Sequence, residues 1–313
     1  MKNIYISAYP FCSTSNKPYQ ILNKHGFKFQ INNKQRRLKE SEIYKILPNF
    51  DGIIADTEPL TKKVLKKAKR LKIISRVGIG LNNINLNFAK KKKIRVAYTP
   101  DAPTLAVVEL TIGLILNALR NITLCNNNLK KNVWKRYLGR RISKVKFGII
   151  GCGRIGSKVL KMLKVMGAKE IYYNDLRTIP INSGIKFKTK NFIFKNCDII
   201  SLHLPLNSKT KNLITSNVLK KLKENIIFIN TSRGEVINED HLYNYLKKNP
   251  HAQFLLDVFK NEPYFGKLRQ LNNCTLTPHI GSMSIDCREN MEIEATKSLV
   301  NFFLKKKLKN FVI

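Results

Sequence analysis

The stretch that most limits what this chain can fold into runs from Val145 to Asp175, VKFGIIGCGRIGSKVLKMLKVMGAKEIYYND. An apolar run, Phe147 to Ile150, enters glycines at Gly151, Gly153 and Gly156, and the helical spacing of Val159, Leu160, Leu163 and Met166 follows at once. The order is strand, turn, helix. A second apolar run, Ile171 to Tyr173, ends at Asp175, about twenty residues past the last glycine. Gly151 permits the tight turn, Gly153 lets the backbone approach a pyrophosphate, and Gly156 lets helix and strand pack closely, while the helix N-terminus turns N–H groups toward phosphate oxygens. Asp175 is then placed for the ribose hydroxyls. A carboxylate there repels a 2′-phosphate, which favours NAD over NADP, although Arg177 softens that preference. A glycine motif alone is weak evidence; the strand before it, the helix behind it and the acid beyond it make it fairly specific for a dinucleotide.

At 313 residues the chain has room for two domains, each able to bury a core without disulfides or metals. The six cysteines, Cys12, Cys125, Cys152, Cys197, Cys274 and Cys287, are scattered, with neither a CxxC pair nor metal-ligand spacing. They read as reduced thiols of a cytoplasmic protein, with no metal expected. The most apolar segment, Leu105 to Leu116, contains Glu109 and is too short to span a bilayer. The opening MKNIYISAYPFCS suits a first strand better than a signal peptide. A formal net charge of +38 is the usual footprint of a nucleic-acid binder. The lysines, however, are spread along the whole chain among abundant Asn and Ile, at Lys62, Lys66, Lys90 to Lys93 and Lys305 to Lys307 for example. No helix-turn-helix, zinc finger or aromatic stacking pattern accompanies them. Solvated basic helix faces are therefore favoured over a nucleic-acid or membrane partner.

From Asn3 to Val96, short apolar runs alternate with amphipathic stretches. Strands are expected at Ile4 to Ala8, Phe27 to Ile31, Gly52 to Ala55, Lys72 to Ser75 and Ile94 to Ala97. Strands separated by helices imply right-handed crossovers and an α/β domain with a parallel sheet. In SRVGIGLNNIN, Gly78 and Gly80 follow a strand; the segment is either a backbone cradle for a substrate carboxylate or a plain turn. Prolines in TPDAP, Thr99 to Pro103, break the pattern before a long apolar helix, about Thr104 to Leu119. The polar, basic segment Cys125 to Arg141 carries the single tryptophan, Trp134, as a packing residue or part of a subunit interface. After Asp175 comes a basic linker, then strands at Asp198 to Leu202, Ile226 to Asn230, Phe254 to Val258 and Cys274 to Leu276, with a helix at Ser216 to Leu222. A last helical stretch, Asp286 to Phe303, has no sheet after it and is long enough to return to the first domain.

Arg233, Glu262 and His279 all fall in loops leaving the carboxyl ends of strands, which in an open α/β sheet face one crevice where ligands bind. Reversible oxidation of an alcohol needs a base for the hydroxyl proton, a group that raises the proton affinity of that base, and a cation to orient the substrate. An imidazole titrates near neutral pH, so His279 fits the first role. Glu262 fits the second and Arg233 the third, through a carboxylate. Each residue taken alone is as readily a loop histidine, a surface acid or a structural ion pair; their joint placement is what carries the reading.

At these residues the chain resembles the D-isomer-specific 2-hydroxyacid dehydrogenase family over nearly its whole length. Similar motifs occur in order: RVGIGLNNI, GIIGCGRIG, LHLPLNSKT, NTSRGEVIN, DVFKNEP and TPHIG. The resemblance implies two doubly wound parallel-sheet domains, a Rossmann nucleotide-binding domain (99–282) inserted into a flavodoxin-like substrate domain (1–98 plus 283–313), with the C-terminal helix packed back on the latter. It implies Arg233, Glu262 and His279 as the catalytic three. Val77, Gly78 and Ile79 would bind the substrate carboxylate through backbone N–H groups, and Asp257 would hold the nicotinamide carboxamide. Within the matched motifs, Arg154, Ile155, His203, Pro205, Thr210, Thr231 and Gly281 join Gly151, Gly153, Gly156 and Asp175 as cofactor-binding positions for NAD. A homodimer through the nucleotide-binding domains is also implied.

The segment ADTEPLT, Ala55 to Thr61, resembles the loop that in phosphoglycerate dehydrogenases carries an arginine for the substrate phosphate, yet here Ala55 and Asp56 occupy that region. An acid there repels a phosphate, unless Lys62, Lys135 or Arg136 compensates. Asn82 also replaces an acidic residue frequent in the family's first glycine segment. The substrate is thus expected to be a D-2-hydroxyacid, with 3-phosphoglycerate, glycerate or hydroxypyruvate, and glyoxylate left open. Formate is disfavoured, because the related formate dehydrogenases resemble a glutamine at the Glu262 position. The competing class is an NAD-sensing binding protein on the same fold, similar to the C-terminal binding protein corepressors; the intact catalytic three weighs against it.

Overall fold

The computed structural model describes residues 1–177 and 184–313. The chain forms two compact units, Met1–Thr104 with Ser282–Ile313, and Leu105–Gly281.

The first unit contains a sheet of five parallel strands, β1 Asn3–Ile6, β2 Lys28–Ile31, β3 Gly52–Ala55, β4 Ile73–Arg76 and β5 Arg95–Tyr98, in the order β2-β1-β3-β4-β5. Helices α1 Lys17–Lys24, α2 Glu40–Ile46, α3 Lys62–Lys67 and α4 Leu86–Lys91 connect them. This is the flavodoxin-like order, whose direction reverses at β1. Strands β1, β3, β4 and β5 are mostly buried because both faces are covered, whereas the edge strand β2 is largely exposed. On one face Tyr5, Ile53, Ile74 and Val96 meet Val64, Leu65 and Ala89. On the other lies the long C-terminal helix Ile285–Phe303, where Ser75 Oγ donates to Ala295 O at 2.7 Å. A methyl group on Gly52 would come within 3.2 Å of Leu299 Cδ1 of that helix and 3.1 Å of Ile4 Cδ1.

The second unit opens with α5 Pro103–Arg120 and α6 Ile122–Leu129. Its seven strands are β6 Lys146–Ile150, β7 Glu170–Asn174, β8 Ile185–Phe187, β9 Ile199–Leu202, β10 Ile227–Asn230, β11 Gln253–Leu256 and β12 Cys274–Leu276. The order is β12-β11-β10-β9-β6-β7-β8, and every pairing is parallel. Helices α7 Gly156–Val165, α8 Lys190–Asn196, α9 Ser216–Leu219 and α10 Glu239–Lys248 complete it, and the C-terminal helix of the first unit is α11. Strand order reverses at β6, the position at which open α/β sheets hold ligands. The glycine-rich turn leaves that strand.

Strand and helix bounds differ from the sequence reading by a residue or two at most ends. The larger differences lie where burial is slight. The basic linker after Asp175 holds β8 and α8; β8 is a sheet-edge strand with no buried residue, so it lacks the apolar alternation that marks a strand. Residues 178–183 of that linker lie outside the described residues. Helix α6 buries nothing either, so the sequence showed only polarity there. Helix α5 runs longer than the apolar core of its sequence. Its 18 residues have a mean hydropathy of 1.4, which makes it the one helix among the described residues long and apolar enough to cross a membrane. Val108, Leu114, Ile115, Ala118 and Leu119 nevertheless sit in the core of the second unit against Phe147 and Ile149.

Candidate active site

The turn after β6 is shaped by close approach. Gly151 has φ +90°, and a Cβ there would overlap the carbonyl oxygen of His203; a Cβ on Gly156 would overlap Gly151 O. Neither position admits a larger residue. Gly153 is different, since nothing lies within 4 Å of where its Cβ would be. It is exposed beside Arg154, one turn before α7, whose N-cap is Ile155. The turn thus presents bare backbone and the N-terminal N–H groups of a ten-residue helix to open space, the form a pyrophosphate requires. Asp175 stands at the end of β7 with Oδ2 accepting from Cys152 N at 2.6 Å and Oδ1 from Arg177 N at 3.3 Å, so one carboxylate ties the tip of β7 to the glycine turn. Burial pushes the Cys152 thiol up to about 12, leaving no thiolate there.

His203, just past β9, packs against the same turn. Its Nε2 pairs with Ser201 Oγ at 3.0 Å, while Nδ1 is closed off from solvent without a protein partner. Burial lowers its pKa to about 4, so the ring is neutral at physiological pH. Pro205 O accepts from Thr210 Oγ1 at 2.6 Å, which closes the loop that follows. Thr231, buried after β10, meets Thr111 Oγ1 of α5 at 3.0 Å.

Glu262 and His279 come together. His279 Nδ1 and Glu262 Oε2 are 2.7 Å apart, with side chains 25% (Glu262) and 40% (His279) exposed, so the pair is reachable from solvent. Glu262 Oε1 also accepts from Phe259 N at 3.0 Å, which fixes the carboxylate. The backbone of His279 is left-handed, φ +55°, a conformation that costs energy for a non-glycine residue and persists only where its surroundings enforce it. Asp257 does the enforcing. It is 1% exposed at the end of β11; Oδ1 accepts from Thr277 Oγ1 at 2.6 Å and Ile280 N at 2.8 Å, and Oδ2 from Gly281 N at 2.9 Å. Burial raises the Asp257 pKa, against these hydrogen bonds. Arg233 leaves the end of β10, its main chain held by Asn230 Nδ2 donating to Arg233 O at 2.8 Å. The next residue, Gly234, presses on the backbone of Phe259, so the arginine loop is seated on the segment that carries Glu262. Among the described residues there is no group of His, Cys, Asp and Glu fit to hold a metal ion.

In the first unit the loop after β4 departs from simple expectation. Val77 N donates to Ala55 O at 2.8 Å and Gly78 N to Thr99 Oγ1 at 2.6 Å, so both N–H groups are spent inside the protein. Among the described residues nothing accepts from the N–H of Ile79 or Gly80. Of the three N–H groups expected to face a ligand, that of Ile79 alone stays open, and that of Gly80 is open beside it. The sequence showed Gly80 in the same loop but not which N–H groups stay open, because that depends on the hydroxyl of Thr99, a residue 21 positions after Gly78.

The family model for the D-isomer specific 2-hydroxyacid dehydrogenase NAD binding domain matches residues 112–281, which include the glycine turn, Arg233, Glu262 and His279. The chain belongs to this family. It is 34% identical over 269 residues to a hydroxypyruvate reductase of Thermotoga maritima, covering 84% of this chain and 88% of that protein. It is 31% identical to a D-3-phosphoglycerate dehydrogenase of Synechocystis over 85% of this chain, but spans only 49% of that longer protein. A crystal structure of D-lactate dehydrogenase from Aquifex aeolicus, complexed with NAD and lactic acid, superposes with a TM-score of 0.87 at 25% identity, covering 99% of this chain and 98% of that one. The protein is accordingly an NAD-dependent oxidoreductase of the 2-hydroxyacid dehydrogenase family, and the bare glycine turn with Asp175 beside it fits that cofactor.

Proposed function

We propose that the protein interconverts a D-2-hydroxyacid and the matching 2-oxo acid, with His279 as the acid–base residue. The observation that carries this reading is the 2.7 Å pair between His279 Nδ1 and Glu262 Oε2. With Nδ1 engaged, Nε2 is the nitrogen left to exchange a proton with the substrate oxygen. In reduction His279 gives that proton to the carbonyl oxygen; in oxidation it takes it from the hydroxyl. Glu262 holds the ring in one orientation and stabilises the imidazolium that oxidation creates. Arg233 pairs with the substrate carboxylate and polarises the adjacent carbonyl. In the first unit, Ile79 and Gly80 supply backbone N–H groups for the carboxylate, with Val77 and Gly78 shaping the loop. NAD supplies the hydride acceptor in one direction and the donor, as NADH, in the other. For that cofactor Gly151, Gly153, Arg154, Ile155 and Gly156 would hold the pyrophosphate, Asp175 would take the ribose hydroxyls, and Asp257 with Gly281 would serve the carboxamide. His203, Pro205, Thr210 and Thr231 complete its surroundings.

The unit Leu105–Gly281 is assigned cofactor binding and the other unit substrate binding. Exposed apolar side chains at Ile122, Leu129, Trp134 and Leu138 of the cofactor-binding unit support a homodimer formed through it, and the six unpaired cysteines support a place in the reducing cytoplasm. Oxidation of NADH followed at 340 nm with glyoxylate, hydroxypyruvate and 3-phosphohydroxypyruvate tests the activity. Turnover of at least one of them, lost in His279→Gln with NADH binding retained, is the expected result. NADH binding with no turnover of any 2-oxo acid would instead favour an NAD-sensing protein.

A further inference from the structure

Beneath the carboxylate-binding loop of the first unit lies a cluster of buried charges that the proposed chemistry does not use. Arg76, the last residue of β4, folds its guanidinium back over the loop: Nη1 donates to Val77 O, and a Cβ on Gly78 would overlap Nη1. Its side chain is 11% exposed, and Nε is enclosed without a partner. Asp56, just past β3, puts Oδ1 3.9 Å from Arg76 Nη2 and Oδ2 3.4 Å from Arg288 Nη1 of α11. Arg288 in turn pairs through Nε with Glu292 Oε1 at 2.7 Å, and Glu292 Oε2 accepts from Cys12 N at 2.8 Å. Glu58, 1% exposed, bonds Ser7 Oγ and accepts from Asp56 N at 3.1 Å, while Asn83 Nδ2 donates to the carbonyls of both Asp56 and Glu58. The Asn83 bonds join this acidic turn to the segment just after Gly80.

A buried guanidinium against a loop that receives an anion would normally strengthen the site for a second negative charge. Here that charge is answered from behind. Among the described residues Asp56 is the one carboxylate within ion-pair distance of Arg76, and it is shared with Arg288. Two guanidinium groups face three carboxyl groups, so the cluster offers no surplus positive charge. In a poorly solvated setting such neutralisation acts on any incoming anion more strongly than it does in water.

We propose that Asp56 is a specificity-determining residue: by holding Arg76 neutralised behind the loop, it selects 2-oxo acids whose C3 group is absent or uncharged and rejects those that carry a second anionic group. This rests on the reading of Ile79 and Gly80 as the carboxylate donors. The substrate class is then glyoxylate or hydroxypyruvate rather than a phosphorylated or dicarboxylic 2-oxo acid. Discrimination of this kind works by withholding from the wrong substrate the counter-charge its second anionic group needs once it leaves water.

The test compares kcat/KM for hydroxypyruvate, 3-phosphohydroxypyruvate and oxaloacetate in the wild type, in Asp56→Asn, and in Glu289→Gln, which removes the same charge from the exposed Lys17 pair on α11. The wild type should favour hydroxypyruvate over both more highly charged acids about tenfold or more. Asp56→Asn should narrow that ratio about tenfold, and Glu289→Gln should leave it unchanged. An unchanged ratio in Asp56→Asn, or an equal change in Glu289→Gln, overturns the proposal. Titration calorimetry of D-glycerate against 3-phosphoglycerate on the wild-type protein with NAD reads the same preference without turnover or a variant. Weaker binding of the phosphorylated acid supports the proposal even if no oxo acid is reduced, an outcome that would reject the proposed chemistry alone. Equal or tighter binding of 3-phosphoglycerate, or binding of neither acid, overturns it.

Discussion

The two units each end a sheet strand in a glycine-x-glycine turn with its first glycine at positive φ, Gly78 at +130° and Gly151 at +90°, and they use the same device oppositely. Behind Gly151 the space is filled by the backbone of His203, and the opening comes two residues later at Gly153, ahead of a helix N-terminus. Behind Gly78 the space is filled by a charged side chain, Arg76, and the helix that follows, α4, starts only at Leu86. The first turn is thus backed by neutral main chain and can offer its own partial charges to phosphates. The second is backed by a guanidinium whose charge must be answered, and Asp56 answers it. Similar glycine spacing therefore tells little about what a turn binds; the group packed behind it tells more.

Substitutions can break or sharpen that contrast. The largest effect is expected away from either turn, at the acid–base pair: His279→Gln should lower kcat about 10²–10⁴-fold while leaving NADH fluorescence titration and the urea midpoint near wild type. Loss of NADH binding in parallel would instead make His279 a structural residue. Next, Gly151→Ala introduces a Cβ onto His203 O at positive φ and should destabilise the fold by about 3 kcal/mol, read by urea unfolding. Gly153→Ala meets no atom and has ordinary φ, so it should unfold like the wild type yet bind NADH about tenfold more weakly, because the methyl occupies the pyrophosphate approach. If the two alanine variants behave alike, the distinction between a packed and an open glycine fails.

The smallest effect concerns the first unit. Burial raises the Glu58 pKa above that of an unfolded chain, so the folded state holds its proton more tightly. The stability this gives is complete below the ordinary carboxylate range and is lost as pH rises through the raised value. Glu58→Gln should therefore match the wild type near pH 4 and exceed it by about 1 kcal/mol at pH 8 in urea unfolding. A wild type that gains stability over that interval relative to Glu58→Gln would mean that Arg76 stabilises the Glu58 carboxylate more than burial opposes it.

How much of this could be read in the sequence follows from the range of the interactions. The glycine turn, α7 and Asp175 lie within one β-α-β stretch, where local spacing dictates local geometry, and the structure has them touching through Cys152 and Gly151. The two parallel sheets were legible from strands alternating with helices. The pairing of Glu262 with His279 was inferred because both follow strand ends and because DVFKNEP and TPHIG resemble the family's motifs. What stayed hidden depends on residues far apart in sequence: Thr99 taking the Gly78 N–H, α11 bringing Arg288 to Asp56, and Arg76 lying over its own loop. Strand β8 and helix α6 were missed for the opposite reason, since elements that bury nothing leave no periodic trace.

Asp257 gathers Thr277, Ile280 and Gly281 onto one carboxylate, and His279 is carried in the span so anchored. Such a three-point mooring measures out the segment like a gauge block. A residue added or removed between Thr277 and Gly281 would leave at least one anchor unreachable and let the imidazole swing off its aim. Variation in this protein's relatives should therefore spare the spacing of that span even where its side chains change, and anyone grafting it onto another scaffold must bring the aspartate from the neighbouring strand along with it.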